Sequence, residues 1–199
     1  MGRSDVKVQL ISDEVVADDN FIVTAARPNT TATLANSSFA SGGARVLSVS
    51  TAGTGDNGKT NTIVGTDVFD NVLTEVIIST GSAAEVDGAK YFKTITSVTS
   101  STQFAGNIVV GTKALAAQAV FGGPVRLKGY SIVSGGAAGV IEFVDGTPED
   151  GTVLFKARTI GTDNTTLDNT IPDEGILFQS GLSIKYTIGT IDMMNFFYA

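Results

Sequence analysis

The side chains able to do chemistry in this sequence are its carboxylates. The chain carries twenty Asp and Glu residues, and it has no His and no Cys. Serine or cysteine nucleophiles activated by His are therefore excluded, as are disulfides and the usual Cys/His zinc site. The stretch VGTDVFDNVLTEVI, Val64–Ile77, sets Asp67, Asp70, Asn71 and Glu75 between two runs of β-formers. A calcium-binding hand needs oxygen ligands at alternating positions, a central glycine and a glutamate at position twelve. This stretch lacks that glycine and that spacing. Asp and Asn also close turns, because their short side chains bond nearby amides and tolerate left-handed backbone angles. The stretch predicts a strand over 61–66, a polar tip at Asp67–Asn71 with Phe69 as its anchor, and a returning strand over 72–78.

The remaining acids fit the same account. Asp56-Asn57-Gly58 and Asp145-Gly146 read as hairpin signals. Asp163-Asn164 and Asp168-Asn169 flank a Thr-rich loop, and Pro148 and Pro172 precede further acidic turns. A cation bridging two such loops suits Asp, Asn and carbonyl oxygens, but no ligand set shows along the sequence. A glycosidase needs two facing carboxylates. Glu75, Glu85, Glu142 and Asp192 lie on or near strands, where each reads as a solvent-facing position. Ser134-Gly-Gly-Ala-Ala-Gly139 resembles a phosphate cradle, but Val140–Val144 after it reads as a strand where such a loop needs a helix; we take its glycines as hairpin glycines. Arg126/Lys128 and Lys156/Arg158 are i,i+2 pairs, and the two pairs form a cationic strip if their strands are neighbours. No catalytic residue, metal ligand or cofactor is assigned, and the chain is expected not to be an enzyme.

These residues sit on a recurring pattern of short β-prone runs. They cover 46–51, 60–66, 73–80, 91–99, 108–111, 125–133, 139–145, 153–160, 175–178, 182–188 and 191–198, with Gly, Asn, Asp and Ser between them. Such spacing marks a sandwich or barrel. Leu182, Ile184, Tyr186 and Ile188 alternate with polar residues, as on a half-buried strand. Lys113–Phe121 (KALAAQAVF) is the best helix candidate and reads as a connector, with an edge strand as the rival. The fold expected is all-β: two small antiparallel sandwich or barrel units, at 45–121 and 122–199, preceded by an extended arm over 1–44. The arm combines a strand over 6–11, an acidic patch (Asp13, Glu14, Asp18, Asp19) and apolar anchors at Phe21, Ile22, Leu34 and Phe39. The C-terminal Met193, Met194, Phe196, Phe197 and Tyr198 read as a last core strand, or as a patch held for a neighbouring subunit.

The net charge is −7, which disfavours a sequence-independent grip on nucleic acid. No window approaches a membrane span. The N-terminus has charges too early for a signal peptide, so synthesis in a cytoplasm without export is expected.

Arg45–Asn57, Ile63–Asp67, Asn71–Glu75, Lys90–Val98 and Gly106–Gly111 resemble a β-module of tailed-bacteriophage virion proteins. Leu127–Gly136, Phe143–Thr147, Gly151–Leu154 and Gly175–Leu182 are similar to a second such module. The resemblance covers 45 to about 185 and consists of turns and strands, with no active-site signature. It implies a structural or attachment part of a phage particle. The expectation is a multicopy, homo-oligomeric capsid decoration (cement) protein whose partner is the major capsid protein. On that expectation Phe21, Ile22, Leu34, Phe39 and the C-terminal residues make the contacts. A tail- or neck-associated subunit (tube, adaptor or fibre-associated) is the alternative, and a carbohydrate-binding β-sandwich is the alternative of another class.

Overall fold

The computed structural model describes residues 6–12, 16–27, 30–39, 41–81, 84–162 and 164–199. They form strands β1 (Lys7–Ser12), β2 (Val23–Ala26), β3 (Ala44–Thr51), β4 (Thr60–Thr66), β5 (Val72–Ile78), β6 (Glu85–Phe92), β7 (Thr94–Ser100), β8 (Ile108–Phe121), β9 (Val125–Ser134), β10 (Val140–Asp145), β11 (Thr152–Arg158), β12 (Thr166–Thr170), β13 (Ile176–Phe178), β14 (Leu182–Thr187) and β15 (Ile191–Tyr198), with one 3-10 turn at Thr54–Asp56. The fold is all-β and antiparallel, without a closed barrel. The chain divides into two compact units, residues 17–116 and residues 1–16 with 117–199, and the division falls within β8.

In the unit of residues 17–116, β5, β4 and β7 form one sheet, while β3 lies between β6 and β8 in another. β4 alternates: Asn61, Ile63 and Gly65 are buried, and the residues between them are partly exposed. Its Ile63 packs with Leu47, Val49, Ile77, Phe92, Ile95, Val98, Phe104, Ile108 and Val110. The described residues between 17 and 44 are tied to this core and do not form a free arm. Ile22 is fully buried, and Phe21, Leu34 and Phe39 pack against the cluster. Backbone bonds stitch the segment down, from Ile22 N to Val110 O (2.9 Å), from Thr112 N to Asp18 O (2.8 Å) and from Ala32 N to Val98 O (2.9 Å). Gly111 permits this approach, since a Cβ there would meet the Asp19 backbone at 2.3–2.4 Å. Burial of four spaced apolar anchors outweighs the polar composition that makes the segment read as an arm.

In the other unit, the sheet order is β1-β15-β9-β12, with β13 also on β9. A second sheet runs β11-β10-β14, and β14 also neighbours β8. The two sheets' buried faces supply Leu127, Tyr130, Ile132, Met194 and Phe196 from the first and Ile141, Phe143, Ile184 and Tyr186 from the second. Phe143 is the centre of the aromatic packing, with Phe155 at 4.0 Å, Tyr130 at 5.2 Å and Phe196 edge-on at 5.7 Å between ring centroids. β1 is an edge strand pairing with β15 along Lys7↔Tyr198 to Ser12↔Met193. The expected arm is thus divided between the units.

Several local expectations change. Lys113–Phe121 is the second half of β8, because neighbouring strands overrule the helix preference of its alanines. Asp145-Gly146 does open the β10–β11 hairpin. Asp56-Asn57-Gly58 instead links β3 to β4, and Ser134–Gly139 links β9 to β10; each pair lies in different sheets. These are crossovers, and local turn residues carry no mark of the sheet that the chain enters next. The run 91–99 is two strands, β6 and β7, in different sheets.

Candidate functional site

The opening stretch is a closed turn. Asp67 Oδ1 accepts the amides of Phe69 (2.8 Å) and Asn71 (2.9 Å), and Oδ2 accepts Asn71 Nδ2 (2.9 Å). Asp70 takes a left-handed φ of 66°, and its carboxylate meets Lys93 Nζ at 2.7 Å. β4 and β5 leave the turn in continuous register from Thr66↔Val72 to Thr60↔Ile78. Both Asp67 oxygens are therefore engaged by the backbone and side chain that they fold. Asp67→Ala is expected to cost about 1–2 kcal/mol, the worth of part-buried turn amides left without their acceptor; a thermal-melting shift close to zero would contradict it.

The other acids are held by amides or lysines. Asp56 is fully buried and accepts Ala105 N (2.6 Å), Gly106 N (3.2 Å) and Lys59 Nζ (2.9 Å). Burial alone would raise its pKa, but the Ala105 amide, Lys59 and the Gly106 amide outweigh it, so the group sits below its ordinary value. Glu75 Oε1 accepts the Ala89 (2.6 Å) and Lys90 (3.3 Å) amides of β6. Glu142 lies between Lys156 (2.5 Å) and Lys185 (2.9 Å), and these ammonium groups lower its pKa. Glu85 is lowered chiefly by Lys113, at 2.7 Å. Asp145 Oδ1 accepts Ser180 N at 2.6 Å. Among the described residues no group of three acids converges as metal ligands do. Asp13, Glu14 and Asp163 lie outside the described residues.

The cationic strip does not form. Arg126 and Lys128 lie on β9, and Lys156 and Arg158 on β11 in the other sheet. Arg126 and Lys128 donate to the Glu174 (3.4 Å) and Asp173 (3.2 Å) carbonyls, and Lys156 pairs with Glu142. One small cavity of about 130 Å³ is lined by Ser134, Arg158, Thr159, Ile160, Thr165, Thr166 and Leu167. It has room for roughly four waters.

The residues expected to make contacts separate by burial. Ile22, Met194, Phe196 and Tyr198 are inside their own units, and Phe21, Leu34 and Phe39 are partly covered. Alternation along β15 leaves Met193 (37% exposed) and Phe197 (39%) on the outer face. The same outer face carries three residues absent from the sequence-based set, Val6, Val8 and Leu10, exposed by 47%, 58% and 55%. The alternation Val6-Lys-Val8-Gln-Leu10 is the signal that could have found them. No family model matches the sequence, and no curated protein matches it.

Proposed function

We propose that this chain is a non-enzymatic structural component of a tailed-phage virion, a decoration protein that binds the capsid surface in many copies. The observation that carries the reading is the use of its acids. Asp56, Asp67, Glu75, Glu142 and Asp145 hold amides and lysines that close loops and join strands. An acid engaged in this way is a poor general acid or base, because catalysis needs a proton free to move. The paired β-modules resembling phage virion proteins give the biological setting. Multivalent display on a particle turns weak individual contacts into firm attachment, which suits a surface with a few exposed apolar side chains. Capsids stripped of accessory proteins are expected to bind the chain saturably in a cosedimentation assay. Absence of saturable binding to heads, with binding to tails, would move the chain to the tail-associated class.

A further inference from the structure

We propose that two copies of this chain pair edge to edge through β1, antiparallel about a two-fold axis at Val8. This names a partner for the open edge of β1 and rests on the multicopy reading for its setting, while its geometry stands on separate observations. β1 ends its sheet, and no described strand pairs with its other edge. An open edge presents unpaired amides and carbonyls to any incoming strand. Natural edges are blunted by charge, proline or bulges. β11 carries Lys156 and Arg158, and the edge of β5 is met by β6 amides on Glu75. β1 has Lys7 alone, no proline, and a continuous register with β15.

The second copy is the occupant that the pattern fits. With Val8 opposite itself, Val6 falls opposite Leu10 of the other copy and Lys7 opposite Gln9, so no like charges face each other. The outer rows of Val6, Val8 and Leu10 then join into one apolar band, flanked on each side by Met193 and Phe197 of β15. Asn195, Ser131 and Val133 continue this face, and Asp168 of β12, opposite Ser131, places an acid three strands in from β1. In a chain of net charge −7, two copies meet with less repulsion along a strand that carries no acid, as β1 does. Edge pairing leaves the outer face open and buries the strand edge with the Val8–Val8 and Val6–Leu10 cross-strand contacts, so the interface is small. A small interface makes the pairing weak for one pair of copies, and many copies on one particle would reinforce it.

The chain has no cysteine, which makes Val8→Cys a clean reporter. Directly opposed residues in antiparallel strands lie about 4.5–5.5 Å apart, inside the roughly 4.4–6.8 Å a disulfide accepts. With oxidised glutathione, the two introduced thiols are oxidised to one disulfide, and each molecule of oxidised glutathione consumed is reduced to two glutathione thiols. Val8→Cys should give covalent dimer well ahead of Val72→Cys, at an 81% exposed site on β5. Leu10→Lys should weaken association about tenfold or more in sedimentation equilibrium. Equal cross-linking of the two cysteine variants, or a wild-type monomer up to about 1 mM, overturns the proposal. Protection of β1 amides from exchange only after another protein is added also overturns it, by assigning the edge to that protein. Capsid binding by a strict monomer overturns the pairing and leaves the decoration reading, whereas a dimer that ignores capsids does the reverse.

Discussion

Asp56→Ala is expected to destabilise the unit of residues 17–116 by about 3 kcal/mol. The carboxylate has no exposed surface, and it joins the 3-10 turn at Thr54–Asp56 to the loop at Ala105–Gly106. Removing it strands two amides and a lysine, and breaking a buried charged contact from one side costs about 3–5 kcal/mol. The low end applies because Lys59 keeps the Gln103 carbonyl (2.5 Å) and the Phe104 ring (5.2 Å) and is 18% exposed. For a unit of this size that is a fall in melting temperature of about 10–20 °C. Asp56→Asn keeps one acceptor and the shape, and should lose about half as much. Lys59→Met keeps both amides bonded but leaves a sealed carboxylate without its cation, and should cost about as much as Asp56→Ala. A calorimetric scan in which Asp56→Ala melts within a few degrees of wild type would show that the two loops are held by something else.

The same contacts set the response to acid. Asp56, Glu85 and Glu142 all have folded-state pKa values below their ordinary ones. A depressed pKa gives stability that is complete above the unfolded-state value and is lost as pH falls through the folded-state value. Stability is therefore level from neutrality down to the usual carboxylate range and declines below it. Asp56 should dominate that decline, since it is sealed, while Lys156 beside Glu142 is 58% exposed and solvent screens such pairs.

What can be read from the sequence divides along the line between local and non-local forces. β4 and β15 follow alternation over 60–66 and 191–198, and the Asp67–Asn71 turn follows from side chains that bond their own backbone. β12, Thr166–Thr170, escapes a reading of the sequence because its composition is that of a loop; its pairing with β9 alone makes it a strand. β8 misleads because alanines favour helix locally. The strongest anchors in the sequence, Ile22, Met194 and Phe196, are core residues, and the exposed row lies at Val8 and Leu10. An apolar residue looks the same in a sequence whether its face is covered or open. The register with β15 separates the two cases, setting Val8 opposite exposed Phe197 and Gln9 opposite buried Phe196.

Phe143→Ala is expected to cost the other unit about 4 kcal/mol. Its side chain is fully buried and touches rings from β9, β11 and β15. Truncating a buried Phe costs about 3–5 kcal/mol through lost transfer and cavity terms, and each aromatic pair adds about 0.5–1.5 kcal/mol. Phe155 is only partly buried and can settle into the space, which keeps the total short of a simple sum. Phe143→Leu preserves most of the volume and should cost about 1.5 kcal/mol or less. Hydrogen exchange should show the loss in β9, β10 and β15, where the ring is anchored. The consequence reaches the outer face through β15. Phe196 packs edge-on against Phe143, and its neighbour Phe197 points the other way, beside Val8. A loosened Phe196 leaves the Val8–Phe197 row without a fixed backing. In the Val8→Cys background, Phe143→Ala should therefore slow cross-linking even at temperatures where the unit stays folded. Asp56→Ala, in the unit that contains neither strand, should not. If Phe143→Ala lowered the melting temperature without changing the cross-linking rate, the core and the outer row would have to be independent of one another.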